Sequence, residues 1–162
     1  VQQNNSFLDA FTPATFVGNH DVTRIATTVG ADNAMTALVA LMTMPGIPSI
    51  YYGDEQGFTG EKTDTVSGDD SVRPPMPAHP SELSSLGSVT FDAHKALIAL
   101  RRANPWLVTA RVETLELTNT RYVYRSQEYG GGRHLEVILD TESVPHATIK
   151  DAQGATLWTQ PA

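Results

Sequence analysis

The sequence predicts an α/β unit followed by a small all-β domain. Two observations carry this. Residues 14–104 read strand, helix, strand, long loop, helix, and the strands are continuously apolar. Residues 108–162 change to short alternating segments rich in Thr, Val, Leu and Tyr, punctuated by glycine.

The elements follow in order. Thr15-Phe16-Val17-Gly18 is a short apolar run that reads as a buried strand and leads into Asn19-His20-Asp21. Met35, Leu38, Val39 and Met42 then fall at i, i+3, i+4 and i+7, one face of a helix. Asp32 or Asn33 is expected to cap its start, and Pro45-Gly46 ends it. Ile47 to Tyr52 reads as a second buried strand, closing on Gly53-Asp54-Glu55. Residues 58–88 collect Gly, Ser, Pro and Asp and read as a long loop. In the helix expected over Asp92 to Ala103, one face carries His94, Leu97, Ile98 and Arg101, and Asn104-Pro105 stops it. Non-alternating apolar strands fit a parallel sheet buried on both faces. Sites in such sheets lie at the carboxyl ends of the strands, where Asn19-His20-Asp21 and Asp54-Glu55 both fall. In the tail, Leu115/Leu117, Tyr122/Tyr124 and Leu135/Val137/Leu139 alternate with polar residues. Gly130-Gly131-Gly132 reads as a hairpin loop, and Gln153-Gly154 as a turn before Thr156-Leu157-Trp158.

Composition narrows the chemistry. The chain has 162 residues, with 11 Lys+Arg against 18 Asp+Glu, a net charge of −7. That length suits one domain or two small ones. The acidic balance argues against nucleic acid and anionic membrane as partners. Zero cysteines remove disulfides, thiolate metal sites and cysteine nucleophiles. No apolar run approaches the ~18 residues of a membrane span. The start, Val1-Gln2-Gln3-Asn4, has neither Met nor a signal-like pattern, so processing or excision from a longer chain is expected.

Few residue groups could carry chemistry. Asn19-His20-Asp21 places an amide, an imidazole and a carboxylate in consecutive positions after an apolar strand, with Arg24 one turn later. That set suits recognition of a polyol or stabilisation of developing positive charge. The plainer alternative has Asp21 capping a helix and His20 packing. Tyr51-Tyr52-Gly53-Asp54-Glu55 offers an aromatic wall and carboxylates, or simply a buried strand with an acidic cap. Asp64, Asp69 and Asp70 lack the ligand spacing of a calcium loop, and a solvated loop is the better reading. Gly130-Gly131-Gly132-Arg133 lacks the Lys-Ser/Thr of a phosphate loop. His79, His94, His134 and His146 show no metal-ligand spacing, so neither a metal nor a cofactor is expected.

Phe16-Val17-Gly18-Asn19-His20-Asp21-Val22-Thr23-Arg24 resembles the alpha-amylase superfamily, glycoside hydrolase family 13, in its Asn-His-Asp signature after barrel strand 7. Pro45-Gly46-Ile47-Pro48-Ser49-Ile50-Tyr51-Tyr52-Gly53-Asp54-Glu55-Gln56-Gly57 is similar to the strand-8 segment of bacterial members. Phe7 to Phe11 resembles the end of the helix before strand 7, Leu97 to Pro105 the last barrel helix, and residues from about 108 the β-sandwich called domain C. The resemblance implies the last two strand–helix units of a TIM (β/α)8 barrel over residues 1–106. A small antiparallel β-sandwich would follow over 107–162.

It also implies roles. Asp21 would be the third catalytic carboxylate, which binds sugar hydroxyls and helps distort the ring. His20 would hydrogen-bond the same ring, Asn19 would fix the turn and the site geometry, and Arg24 would neighbour the subsite or a chloride. The substrate would be an α-glucan or maltooligosaccharide. Retaining glycosidases need a nucleophile and an acid/base roughly 5–5.5 Å apart. In this family these come from strands 4 and 5, and nothing here resembles those segments. A full barrel also takes about 250 residues. The expectation is therefore a C-terminal portion of a retaining glycoside hydrolase or transglucosylase, inactive alone. Unpaired barrel strands would favour self-association or reassembly with the remainder. The rival reading is a non-catalytic carbohydrate-binding or interaction module. A bacterial cytoplasm and secretion are equally compatible with the cysteine count.

Overall fold

The computed structural model describes residues 2–83 and 85–161. Helix α1 (Gln2–Phe7) leads to strand β1 (Ala14–Thr15), helix α2 (Ile25–Val29) and helix α3 (Ala31–Thr43). Strand β2 (Ile47–Pro48), a long loop and helix α4 (Ser85–Ala103) follow. Five strands complete the chain: β3 (Arg111–Leu117), β4 (Arg121–Gln127), β5 (His134–Asp140), β6 (His146–Lys150) and β7 (Thr156–Thr159).

β1 and β2 pair in parallel, Ala14 opposite Ile47 and Thr15 opposite Pro48. The Ile47 and Ser49 amides donate to the Pro13 and Thr15 carbonyls at 2.8 and 2.7 Å. Gly46 permits the approach: its φ is +112°, and a Cβ there would lie 2.8 Å from the Pro13 carbonyl oxygen. Burial on both faces, expected from the apolar runs, is not what the structure has. Phe16 and Ile47 are 56% and 55% exposed. Val17 and Ile50, two residues beyond the ends of the strands, pack against the core cluster.

α3 starts two residues earlier than an Asp32 cap would set it. Gly30, with φ of +82°, turns the chain from α2 into α3 and occupies the N-cap without a side-chain bond. Asp32 therefore lies inside the first turn, where its charge favours the helix dipole. Asn33 instead donates from Nδ2 to the Val29 carbonyl at 3.0 Å. α4 presents the expected face, with Leu97 fully buried and His94 and Arg101 nearly so. The Arg101 guanidinium reaches the end of α3, donating from Nη1 to the Met42 carbonyl at 3.1 Å and to the Met44 carbonyl, and from Nη2 to the Gly46 carbonyl. These acceptors lie in the segment where a helix runs out of intrahelical donors. Arg101 thereby ties α4 to the lead-in of β2.

The tail is one antiparallel meander in the order β3-β4-β5-β6-β7, not the expected sandwich. Its apolar face carries Val112, Tyr124, Leu135, Val137, Ala147 and Ile149, packed in one cluster with Leu38, Val39 and Met42 of α3 and Leu97 of α4. A helix layer thus covers this face where a sandwich would use a second sheet. The opposite face aligns Glu113, Arg125, Glu136 and Lys150 across four strands. Such a charged row suits water and would be costly to bury under another sheet. Helix and sheet are also joined by polar contacts. The Tyr124 hydroxyl lies 2.6 Å from Thr43 Oγ1, and Ser126 Oγ donates to the Thr43 carbonyl at 2.7 Å. At the edge, the Asn5 side-chain amide exchanges two bonds with the Val112 backbone, at 2.9 and 3.0 Å, in place of a neighbouring strand. No helix among the described residues is long and apolar enough to cross a membrane.

Candidate functional site

The site forms where β1 ends. Asn19 Oδ1 accepts the Asp21 amide at 2.8 Å, a tight local turn of the kind Asn makes readily. The turn lifts His20 and Asp21 to the surface, with side chains 63% and 60% exposed. Asp21 caps no helix, because the N-cap of α2 is Arg24.

Two cations from the long loop meet Asp21. Arg73 Nη2 lies 3.1 Å and Lys62 Nζ 3.7 Å from Asp21 Oδ1, and His20 Nε2 is 3.5 Å from Oδ2. Arg73 Nε also donates to the His20 carbonyl at 3.1 Å, so one guanidinium grips both backbone and side chain of the turn. Asp69 binds the same two cations, with Arg73 Nη2 at 2.6 Å from its Oδ2 and Lys62 Nζ against its Oδ1. The Lys62 hydrogen bond, aided by the Arg73 charge, holds the Asp69 carboxyl below its ordinary range, and Asp69 in turn raises the Lys62 ammonium. The loop is brought here by backbone bonds: the Arg24 amide donates to the Gly60 carbonyl, and the Lys62 amide to Thr23 Oγ1.

Arg24, expected beside the subsite or a chloride, is buried. Its side chain is 1% exposed. Nη1 donates to Asp54 Oδ1 at 3.0 Å and to the Tyr52 carbonyl at 2.6 Å, and Nε donates to the Val72 carbonyl at 2.9 Å. The guanidinium carbon stands 4.0 Å from the Tyr51 ring centroid, within cation–π range. Arg24 therefore works from inside, binding the end of β2 to the loop that carries Arg73. Burial raises the Asp54 carboxyl, against the pull of Arg24.

Tyr51 and Tyr52 do not form a freestanding wall. Their rings meet edge to face, and their hydroxyls donate to the Val72 and Pro74 carbonyls at 3.3 and 2.9 Å. Glu55 Oε2 accepts the Gly53 amide at 2.8 Å. Gly53 has φ of +86°, and a Cβ there would lie 2.1 Å from the Phe58 ring. His94 is buried, bonded through Nδ1 to the Thr90 carbonyl at 2.8 Å, and burial lowers its pKa. No group of three His, Cys, Asp or Glu residues among those described could hold a metal.

Sequence reasoning found Asn19, His20 and Asp21, which the structure brings into one exposed turn. It missed Lys62 and Arg73, and read Asp69 only as part of a solvated loop. Only the i, i+4 spacing of Asp69 and Arg73 hinted at a paired unit.

Residues 2–84 match the family model described as the alpha-amylase catalytic domain. The chain is 32% identical over 158 residues to the cyclomaltodextrin glucanotransferase of Bacillus licheniformis, covering 88% of this chain and 20% of that enzyme. It is 30% identical over 155 residues to the 4-alpha-glucanotransferase of Thermotoga neapolitana, covering 79% of this chain and 34% of that one. Among solved structures, the three-domain cyclomaltodextrin glucanotransferase CldA superposes with a TM-score of 0.66 at 26% identity, over 92% of this chain and 30% of that one. The chain thus spans a fifth to a third of the length of these relatives. With the catalytic-domain match extending over just over half its residues, the chain belongs to the alpha-amylase superfamily.

Proposed function

We propose that this chain is the C-terminal portion of an α-glucan-active retaining glycoside hydrolase or transglucosylase. In this reading β1 and β2 are the last two strands of its (β/α)8 barrel, and the five-stranded sheet is its domain C. Supporting it, the named relatives act on glucans: one is a cyclomaltodextrin glucanotransferase and another a 4-alpha-glucanotransferase. The observation that carries the reading is Asp21. It stands exposed at the carboxyl end of a parallel strand, oriented by Asn19 and Arg73, where barrel enzymes assemble their chemistry.

Asp21 would accept hydrogen bonds from the hydroxyls of the ring being cleaved and offset the positive charge of an oxocarbenium-like transition state. His20 would donate to the same ring. Arg24 would act as a positioning residue through Asp54 and Val72. The nucleophile and the proton donor would come from segments this sequence does not contain, so the chain alone turns over nothing. The outer edges of β1 and β2, with exposed Phe7, Phe11, Phe16 and Ile47 beside them, would receive the other barrel strands or a second copy of the chain.

The test uses the 162-residue chain and a hybrid in which it replaces the matching segment of the Bacillus licheniformis enzyme. With maltoheptaose the chain alone should show no turnover. The hybrid should be active, and Asp21→Asn should lower its kcat about 10³-fold, the scale of losing one preorganised electrostatic group. Turnover by the isolated chain, or an unimpaired Asp21→Asn hybrid, would overturn the assignment. A second reading, a carbohydrate-binding module, is favoured by the exposure of the Asp21 turn in the chain itself. Saturable maltoheptaose binding by a chain whose hybrid stays inactive would support it instead.

A further inference from the structure

A cavity of about 30 Å³ lies among α2, α3, α4 and the turn Asp54–Gln56. α2 and α3 give it only apolar side chains, Ile25, Met35, Leu38 and Leu41 among them, and Val17 and Ile50 beyond the two strands are apolar as well. Its ionisable linings among the described residues are Asp54 from the turn and His94 from α4. Asp54 Oδ1 accepts Arg24 Nη1 at 3.0 Å. His94 Nδ1 meets the Thr90 carbonyl, an acceptor only, so the neutral ring carries its hydrogen there and an added proton goes to Nε2. Asp54 and Glu55 are the charged groups that act on this ring, and both are acidic. A cavity of this size admits a water molecule, which gives the Asp54 carboxyl and the imidazole room to shift toward each other.

We propose that His94 is a positioning residue for Asp21, an acid-sensitive catch that acts through Asp54, Arg24 and Arg73. With His94 neutral, Asp54 is left to Arg24, and Arg24 holds the Tyr52 and Val72 carbonyls at 2.6 and 2.9 Å. Val72 precedes Arg73, whose guanidinium holds both Asp21 and the His20 carbonyl. With His94 protonated, an imidazolium competes with Arg24 for one carboxylate. The Arg24 side chain is 1% exposed, so a guanidinium that loses its counter-charge there is destabilised. Relief comes by moving Arg24 toward water, and residues 72–73 move with it. The bistable element is the Asp54 carboxylate, shared between two cations of which one exists only in acid. The relay rests on the proposed function only for what Asp21 does. Its test reads hydrogen bonds and not turnover, so either reading can fail alone.

The experiment follows the ¹⁵N-labelled 162-residue chain by NMR. It reads the titration of the His94 ring and the exchange of the Arg24 and Arg73 Nε–H protons with water, relative to free arginine at the same pH. Burial lowers the His94 pKa, so the transition falls below pH 6.5. Between about pH 7.5 and about pH 5 the relative exchange of both protons should rise about tenfold, the sign of a local opening. His94→Gln should remove that rise. Asp54→Asn keeps an acceptor for Arg24 but offers the imidazolium no charge, so it should remove the rise too, and it carries the test if His94→Gln does not fold. His20 lies 3.5 Å from Asp21, so the rise must also persist in His20→Gln. A ring that titrates without accelerating either proton would overturn the proposal. So would a ring still neutral at about pH 5, a rise that survives His94→Gln or Asp54→Asn, or one that vanishes in His20→Gln.

Discussion

The joint between α3 and the sheet can be tested through one hydroxyl pair. Thr43 Oγ1 donates to the Val39 carbonyl at 2.7 Å, so the fully buried Tyr124 hydroxyl must donate to Thr43 Oγ1. Burial keeps that phenol far above its ordinary pKa, so it stays neutral. The two ends of the bond are not equivalent. Tyr124→Phe removes the donor and leaves Thr43 with its Val39 bond, which should cost about 1 kcal/mol. Thr43→Val keeps the shape but strands the Tyr124 hydroxyl in an apolar core, which should cost about 2–3 kcal/mol. With a urea m-value of about 2 kcal/mol/M, the midpoints should fall by about 0.5 M and about 1–1.5 M. The double variant should be no less stable than Thr43→Val alone, because no orphaned hydroxyl remains. Urea unfolding followed by circular dichroism measures all three. A Tyr124→Phe loss exceeding that of Thr43→Val would refute the assigned direction of the bond.

Two further outcomes follow from the site. His94 has a folded pKa lowered from 6.5 by burial, so the unfolded chain takes up its proton first on acidification. Stability should therefore fall as pH drops below about 6.5, and His94→Gln should flatten that part of a urea-midpoint profile. Asp54, raised from 3.8, works in the opposite sense. Its contribution is present below the unfolded value and lost as pH rises through the folded one, and Asp54→Asn should remove it. Gly53→Ala should lower the calorimetric Tm by several degrees. It forces a left-handed backbone on a residue with a Cβ, at about 1–2 kcal/mol, and drives that Cβ into Phe58.

The part of the site legible in the sequence is the part that is local. Asn19, His20 and Asp21 are consecutive, and the turn they make depends on a bond across two residues. Arg24 lies only three residues on, yet its burial was not legible. Spacing along the chain says nothing of whether a guanidinium faces solvent or, as here, the carbonyls of Tyr52 and Val72. Lys62 and Arg73 were invisible for the same reason. They reach Asp21 only because Gly60 accepts the Arg24 amide and thereby sets the path of a loop whose residues are more than thirty positions away.

Hydrophobic period and turn chemistry were enough to locate α3, the buried face of α4, and the glycine-rich turns of the sheet, since each depends on neighbours within about four residues. Alternation along a strand marks an apolar face but cannot say what covers it. That depends on register between strands, which put Glu113, Arg125, Glu136 and Lys150 in one row facing water and left the other face to α3. The expected sandwich became a meander under a helix for that reason. The Asn-His-Asp turn and its family are written in adjacent residues. The partners that hold Asp21 exist only once distant segments have packed together.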